Sequence, residues 1–230
     1  MKFFRDKLYE DITIPAPPKD DIVEAAEVKR LIANRTAEQE KSIADHDEVP
    51  FYAIKKYCDD NKMMFHKDEF KDIIYGATDT INYFKDKFDR KRPIEVDKTL
   101  DTSPSKTNKT PSYPSGHAAQ SRIVARYVAG KFPEHEANLI EAGNECGYGR
   151  VLAGFHYPSD YEAGNLLGEK MYKLMNKENY IKEMKTFKTF MESIIDIPRS
   201  TYAPGVFDGA DSKNPKIKSS VMKMIDKQVE

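Results

Sequence analysis

The stretch HKDEFKDIIYGATDTINYFKDKFDR, residues 66–90, decides the class of fold. Within it Phe70, Ile73, Ile74, Ala77, Ile81, Phe84 and Phe88 recur at spacings of three and four, which gathers them on one face of an α-helix. The same period returns on both sides. After Pro114, the residues Ala119, Ile123, Val124, Tyr127 and Val128 mark a helix that ends near Gly130 and Pro133. Pro158 opens another, with Ala163, Leu166, Leu167, Met171 and Leu174 as its apolar series. Helical patterns also cover about 21–45, 51–61 and 177–197. From Glu134 onward Gly143, Gly147, Arg150 and Gly154 fall on one helical face, where missing side chains admit a neighbouring backbone and set Arg150 at a tight interface or cleft. Strand-like alternation is short and isolated, so the pattern predicts an all-α protein. A single helical domain is expected over 1–198, followed by a polar, lysine-rich, loosely packed tail at 199–230. A loop rich in Ser, Thr, Pro and Lys at 101–113 and a proline-rich arm at 14–18 interrupt the helices without dividing the domain.

Composition narrows the function. The 230 residues carry 37 basic against 38 acidic side chains, a formal net charge of −1, so no whole-molecule field draws nucleic acid and no nucleic-acid partner is expected. Apolar runs never reach the ~20 residues of a bilayer-spanning helix, so no integral membrane segment is expected and the chain reads as soluble. Met1-Lys2-Phe3-Phe4-Arg5 meets charge before an export signal could form, and a cytoplasmic location is expected. Cys58 and Cys146 fit no zinc or redox spacing and read as reduced buried thiols. The sequence is compatible with a homo-oligomer.

Against this neutral background cationic groups concentrate around two histidines. Lys85 stands seven before Arg92, Arg92 precedes Pro93, His117 closes the run Pro114-Ser115-Gly116-His117, and Arg150 stands six before His156, itself four before Asp160. Each piece is weak alone, since helical lysines usually face solvent and an Arg-Pro pair usually ends a helix. Together they supply what a metal-free phosphoryl transfer needs: a cationic cradle, a nucleophile and an acid for the leaving group. Arg92 and Arg150 offer planar forks of donors and Lys85 a point charge. Ser115 and Gly116, at a helix start, aim N–H groups and a hydroxyl at the same anion. Asp160 fixes the tautomer of His156, the candidate nucleophile, and His117 is the candidate acid. With both imidazoles near their ordinary value of about 6.5, activity is expected to peak on the acidic side.

The combination Lys85-x6-Arg92-Pro93, Pro114-Ser115-Gly116-His117 and Gly149-Arg150-x5-His156-x3-Asp160 resembles the three-part signature of the type 2 phosphatidic-acid phosphatase superfamily. The flanks, among them Ser112-Tyr113 and Gly154-Phe155-His156-Tyr157-Pro158-Ser159-Asp160, are most similar to the soluble bacterial class A nonspecific acid phosphatases. The resemblance is dense from Lys85 to Gly164. It implies a helical bundle of the acid phosphatase and vanadium haloperoxidase type, a phosphohistidine on His156, acid catalysis by His117, and phosphate binding by Lys85, Arg92, Ser115, Gly116 and Arg150. A small phosphomonoester is then the expected partner, with no cofactor and no metal.

One departure is Gly149, where the family has serine; the lost hydroxyl is expected to weaken phosphate contacts or shift substrate preference. Two alternatives stand beside the phosphatase: a vanadium-dependent haloperoxidase and a non-catalytic anion-binding helical protein. A metalloenzyme is disfavoured because Lys85, Arg92 and Arg150 would repel a cation from His117, His156 and Asp160. His46, His66 and His135 lie on charged stretches and read as surface residues, and Tyr157 reads either as a wall of the leaving-group pocket or as core.

Overall fold

In a computed structural model describing residues 3–64 and 67–175, helices begin where the sequence supplies caps. The Asp20 carboxylate accepts from the N–H groups of Ile22 and Val23 and starts α1 (Asp21–Ala33), which buries Ala25, Val28 and Ile32. The pattern read as one helix over 21–45 is two. Thr36 and Gln39 form a reciprocal capping box that starts α2 (Ala37–His46), and the capping geometry outweighs the continuous apolar period. α3 (Tyr52–Asp60) buries Ile54 and Cys58. α4 (Lys67–Phe88) follows the expected face, with Phe70, Ile73, Ala77, Ile81 and Phe84 buried; each of the Phe and Ile side chains contributes roughly 1.5–3 kcal/mol by leaving water.

Arg92-Pro93, expected to end a helix, instead opens the short α5 (Pro93–Val96), because proline is preorganised for a first helical turn and the Arg92 N–H donates to Glu95 at 2.7 Å. α6 (Gly116–Lys131) is buried on most sides, through Ala118, Ala119, Ile123, Val124, Ala125 and Val128, and is the central helix of the bundle. It packs chiefly on α7 (Glu136–Leu152) and also on α4. A last helix, α8, runs from 158 to 175. Among the described residues there is no strand, and the protein is all-α.

Gly143, Gly147 and Arg150 are buried on α7 as expected. Gly154 is not on that face: it lies beyond the helix with φ +80°, where an added Cβ would meet Ile32 and Thr102 below 3.0 Å. The chain turns there so that Phe155 and His156 double back toward Arg92. The arm at 14–18 is tied to the site's loop, because Pro15 accepts a hydrogen bond from the Tyr113 hydroxyl at 2.7 Å. His46 is a correction: it is buried, with Nδ1 on the Ser42 carbonyl at 2.7 Å and Nε2 accepting from the Ala53 N–H at 3.2 Å, so it joins α2 to α3 instead of facing water. Cys58 and Cys146 are buried free thiols. The chain divides into Met1–Leu174 and Met175–Glu230, and the site lies in the first. His66, the helix expected at 177–197 and the tail from 199 fall outside the described residues.

Candidate active site

Lys85 ends the buried face of α4, Arg92 precedes α5, Gly116 and His117 form the first turn of α6, Arg150 closes α7, and His156 lies in the turn before α8. All six line one cavity of about 270 Å³. The remaining two expected residues stand behind the wall. Asp160 is fully buried beneath His156. Ser115 caps α6 through its hydroxyl oxygen, which accepts from Ala118 at 3.4 Å, and its own N–H donates to the Asp160 carbonyl at 2.9 Å. The expectation that Ser115 aims its N–H at the anion is therefore replaced: that group is committed to α8. The first-turn N–H groups of Gly116 and His117 have no intrahelical partner and carry the positive end of the α6 dipole at the cavity.

The tautomer of His156 follows from its neighbours. Nδ1 lies 3.2 Å from the Asp160 carboxylate, which only accepts, while Nε2 lies 3.2 Å from Arg92 Nη1, which only donates. The proton is on Nδ1 and the Nε2 lone pair faces the cations. Asp160 is held in turn by the Ser112 hydroxyl, the Tyr157 N–H at 3.0 Å and Arg90 Nη1 at 2.7 Å. Arg90 is itself buried, gripped by Asp21 and Glu24 of α1, and stacked 3.9 Å from the centre of the Tyr157 ring. Tyr157 is thus core and does not line the cavity. Removing Arg90 would leave a buried carboxylate uncompensated, at a cost of about 3–5 kcal/mol.

Burial and mutual repulsion set the protonation states. Burial, then Arg92, Lys85 and Arg150, push His156 well below the usual imidazole range. His117 is pulled down to about 3 by burial and by Arg150. The expectation of two imidazoles near their ordinary value does not hold, because burial and the neighbouring cations outweigh the Asp160 carboxylate beside His156 and the pull of Asp47 on His117. Burial and Arg92 bring Lys85 down to about 7, and burial brings Arg92 to about 10. Burial instead pushes the Asp160 carboxyl up, against the pull of Arg90.

Sequence reading missed two side chains that organise the site. Asp47 lines the cavity and pairs with Arg150 at 2.7 Å, and its carbonyl accepts from His117 Nε2 at 3.0 Å. Arg90 steadies Asp160. Asp47 hides in the charged run Asp45-His46-Asp47-Glu48, and Arg90 in Asp89-Arg90-Lys91, with no local signal separating them from solvated charges. Gly149 also differs from expectation: it does not line this cavity, and a Cβ there would meet Ile43 at 3.7 Å, ordinary contact. A serine at 149 would begin on the α2 side, so the loss of its hydroxyl does not strip the cavity of a donor. Among the described residues no cluster of three His, Cys, Asp or Glu is placed to hold a metal, and no helix is long and apolar enough to cross a membrane.

Residues 73–177 match the family model of the PAP2 superfamily. The chain is 35% identical over 92 residues to an acid phosphatase of Zymomonas mobilis subsp. mobilis, covering 39% of this chain and 35% of that protein. It is 42% identical over 57 residues to a non-specific acid phosphatase of Salmonella typhi, covering 25% and 23%. The chain thus spans about a third or less of these relatives' length. A solved structure described as the first transmembrane PAP2 type phosphatidylglycerolphosphate phosphatase from Bacillus subtilis aligns with 68% of this chain and 84% of its own, at 16% identity and a TM-score of 0.48. The match at 73–177 takes in Lys85, Arg92, the turn at 114–117, Arg150, His156 and Asp160, so the stretch that carries the site is similar to the PAP2 superfamily.

Proposed function

We propose that the protein is a metal-independent phosphatase that hydrolyses small phosphomonoesters through a phosphohistidine on His156. The observation that carries the proposal is the company of His156 Nε2: a deprotonated ring nitrogen, steadied from behind by Asp160, set among Lys85, Arg92 and Arg150 in one cavity. A ring of cations in which, among the described residues, neither Lys85 nor Arg92 forms a salt bridge is a poor site for a metal and a good one for a tetrahedral anion. The acid phosphatases among the relatives agree with this chemistry.

The phosphoryl group enters with its oxygens toward Lys85, Arg92, Arg150 and the N–H groups of Gly116 and His117. Arg92 Nη1 moves from Nε2 to a phosphoryl oxygen, and Nε2 is released to attack phosphorus. The bound anion raises His117 from its low free value. Because Nε2 of His117 donates to the Asp47 carbonyl, the catalytic proton resides on Nδ1 and passes to the departing oxygen as the P–O bond breaks. Water then attacks the phosphohistidine, neutral His117 takes its proton, the N–P electrons return to Nε2, and phosphate leaves.

The test is release of phosphate from p-nitrophenyl phosphate across the acidic and neutral range, with excess chelator and with His156→Ala. Turnover that survives chelator and falls at least about a thousandfold in His156→Ala is expected. Turnover abolished by chelator and restored by Zn²⁺ or Mg²⁺, or retained in His156→Ala, contradicts the proposal.

A further inference from the structure

Arg150 differs from the other two cavity cations in already holding a carboxylate. Lys85 donates to the Pro111 carbonyl, and Arg92 to the carbonyls of Thr110 and Phe155 and to His156. Arg150 Nη1 instead donates to Asp47 Oδ1 at 2.7 Å, while Nη2 donates to the hydroxyls of Thr107 at 2.9 Å and Ser105 at 3.3 Å. Its Nε is buried with no partner, and the guanidinium lies 4.5 Å from the centre of the Phe155 ring. Asp47 is held equally firmly: Oδ1 also accepts from the Ser105 and Thr107 hydroxyls, and Oδ2 from the Lys106 N–H at 3.0 Å. Burial works against its charge, yet Ser105, the Lys106 N–H and Arg150 together hold the carboxyl well below the usual range.

The geometry points to Asp47 as a positioning residue that serves Arg150 as an internal counter-ion, and so weakens the cavity's hold on inorganic phosphate. The inference rests on the phosphatase reading above. When no anion is bound, the carboxylate occupies the guanidinium and keeps it fixed over Phe155. When a phosphoryl group enters, two anions share one guanidinium and repel each other, so the cavity binds less tightly than its cations alone would. Product phosphate, which meets the same cations as substrate, leaves more readily. The carbonyl of Asp47 meanwhile keeps the His117 proton on Nε2, a contact that belongs to the backbone and survives replacement of the side chain.

The experiment uses the full chain. Inhibition of p-nitrophenyl phosphate hydrolysis gives Ki for inorganic phosphate, and calorimetry gives Kd for tungstate, which needs no turnover. Asp47→Asn, and Asp47→Ser as a second variant without the charge, are expected to tighten both constants about tenfold. Thr107→Val removes hydrogen bonds to Asp47 and Arg150 but no charge, and is expected to leave both within about twofold. Unchanged or weaker binding in folded Asp47→Asn and Asp47→Ser overturns the inference, as does equal tightening in Thr107→Val, which would assign the effect to the loop. A wild-type chain that binds tungstate but releases no phosphate sinks the phosphatase reading, while the tungstate measurement still decides the role of Asp47.

Discussion

Lys85 is a buried ammonium that donates to a carbonyl and, among the described residues, forms no salt bridge, and its titration brings the cavity's charge into the neutral range. Its value of about 7 means that it is charged below neutrality and neutral above. Before an anion binds, Arg92, at about 10, and His117, at about 3, do not change state in that window. Anion affinity should therefore weaken as pH rises through 7, the direction that favours an acidic working range. Tungstate stays dianionic above neutrality, so calorimetry between about pH 6.5 and 8.5 isolates the protein's contribution, and Kd should rise roughly tenfold or more in wild type and less steeply in Lys85→Met, where only the proton that His117 gains with the anion still titrates. A flat wild-type profile would mean that Lys85 stays charged or does not meet the anion. At this scale the sequence revealed the cations and imidazoles that touch the cavity, because their types and spacings are chemically selective, but not Asp47 beside them. It did not reveal their pKa values, which depend on how deeply the fold buries them.

The elements hold these groups through a few close approaches. α8 crosses the start of α6 at Gly164, where an added Cβ would sit 2.5 Å from the Ser115 carbonyl oxygen and 2.8 Å from the Ala118 Cβ. Backbone cannot yield there as a flexible side chain can, so Gly164→Ala must push α8 from the turn that carries Gly116 and His117. A loss of about 1–3 kcal/mol in stability is expected from overpacking, and a fall in kcat of about tenfold or more from the displaced turn; a thermal melt beside steady-state kinetics checks both. Unchanged kcat in a destabilised variant would separate the α8 contact from the site. Periodicity made α4, α6 and α7 legible, since each buries a continuous face. It failed at 34–36, where Thr36 and Gln39 cap a new helix inside an unbroken apolar period, and at Pro93, where proline begins a turn instead of ending one. Caps are local chemistry that an apolar count does not register.

Across the whole molecule, a chain of net charge −1 gathers three cations, Lys85, Arg92 and Arg150, at one point by bringing α4, α5, α6, α7 and the turn before α8 together. The three motifs were readable because each is short and contiguous. The supports were not: Asp47 reaches Arg150 across 103 positions and Arg90 reaches Asp21 across 69, and no spacing along the chain announces either. The central claim is that His156 carries the phosphoryl group between the two half-reactions. Rapid quenching of the enzyme during turnover of a phosphomonoester, followed by peptide mass spectrometry under alkaline conditions that preserve phosphoramidates, tests it most directly. A phosphate on the peptide containing His156, acid-labile and missing in His156→Ala, is the predicted result; a turning-over enzyme that carries phosphate on another residue, or none at all, would contradict it.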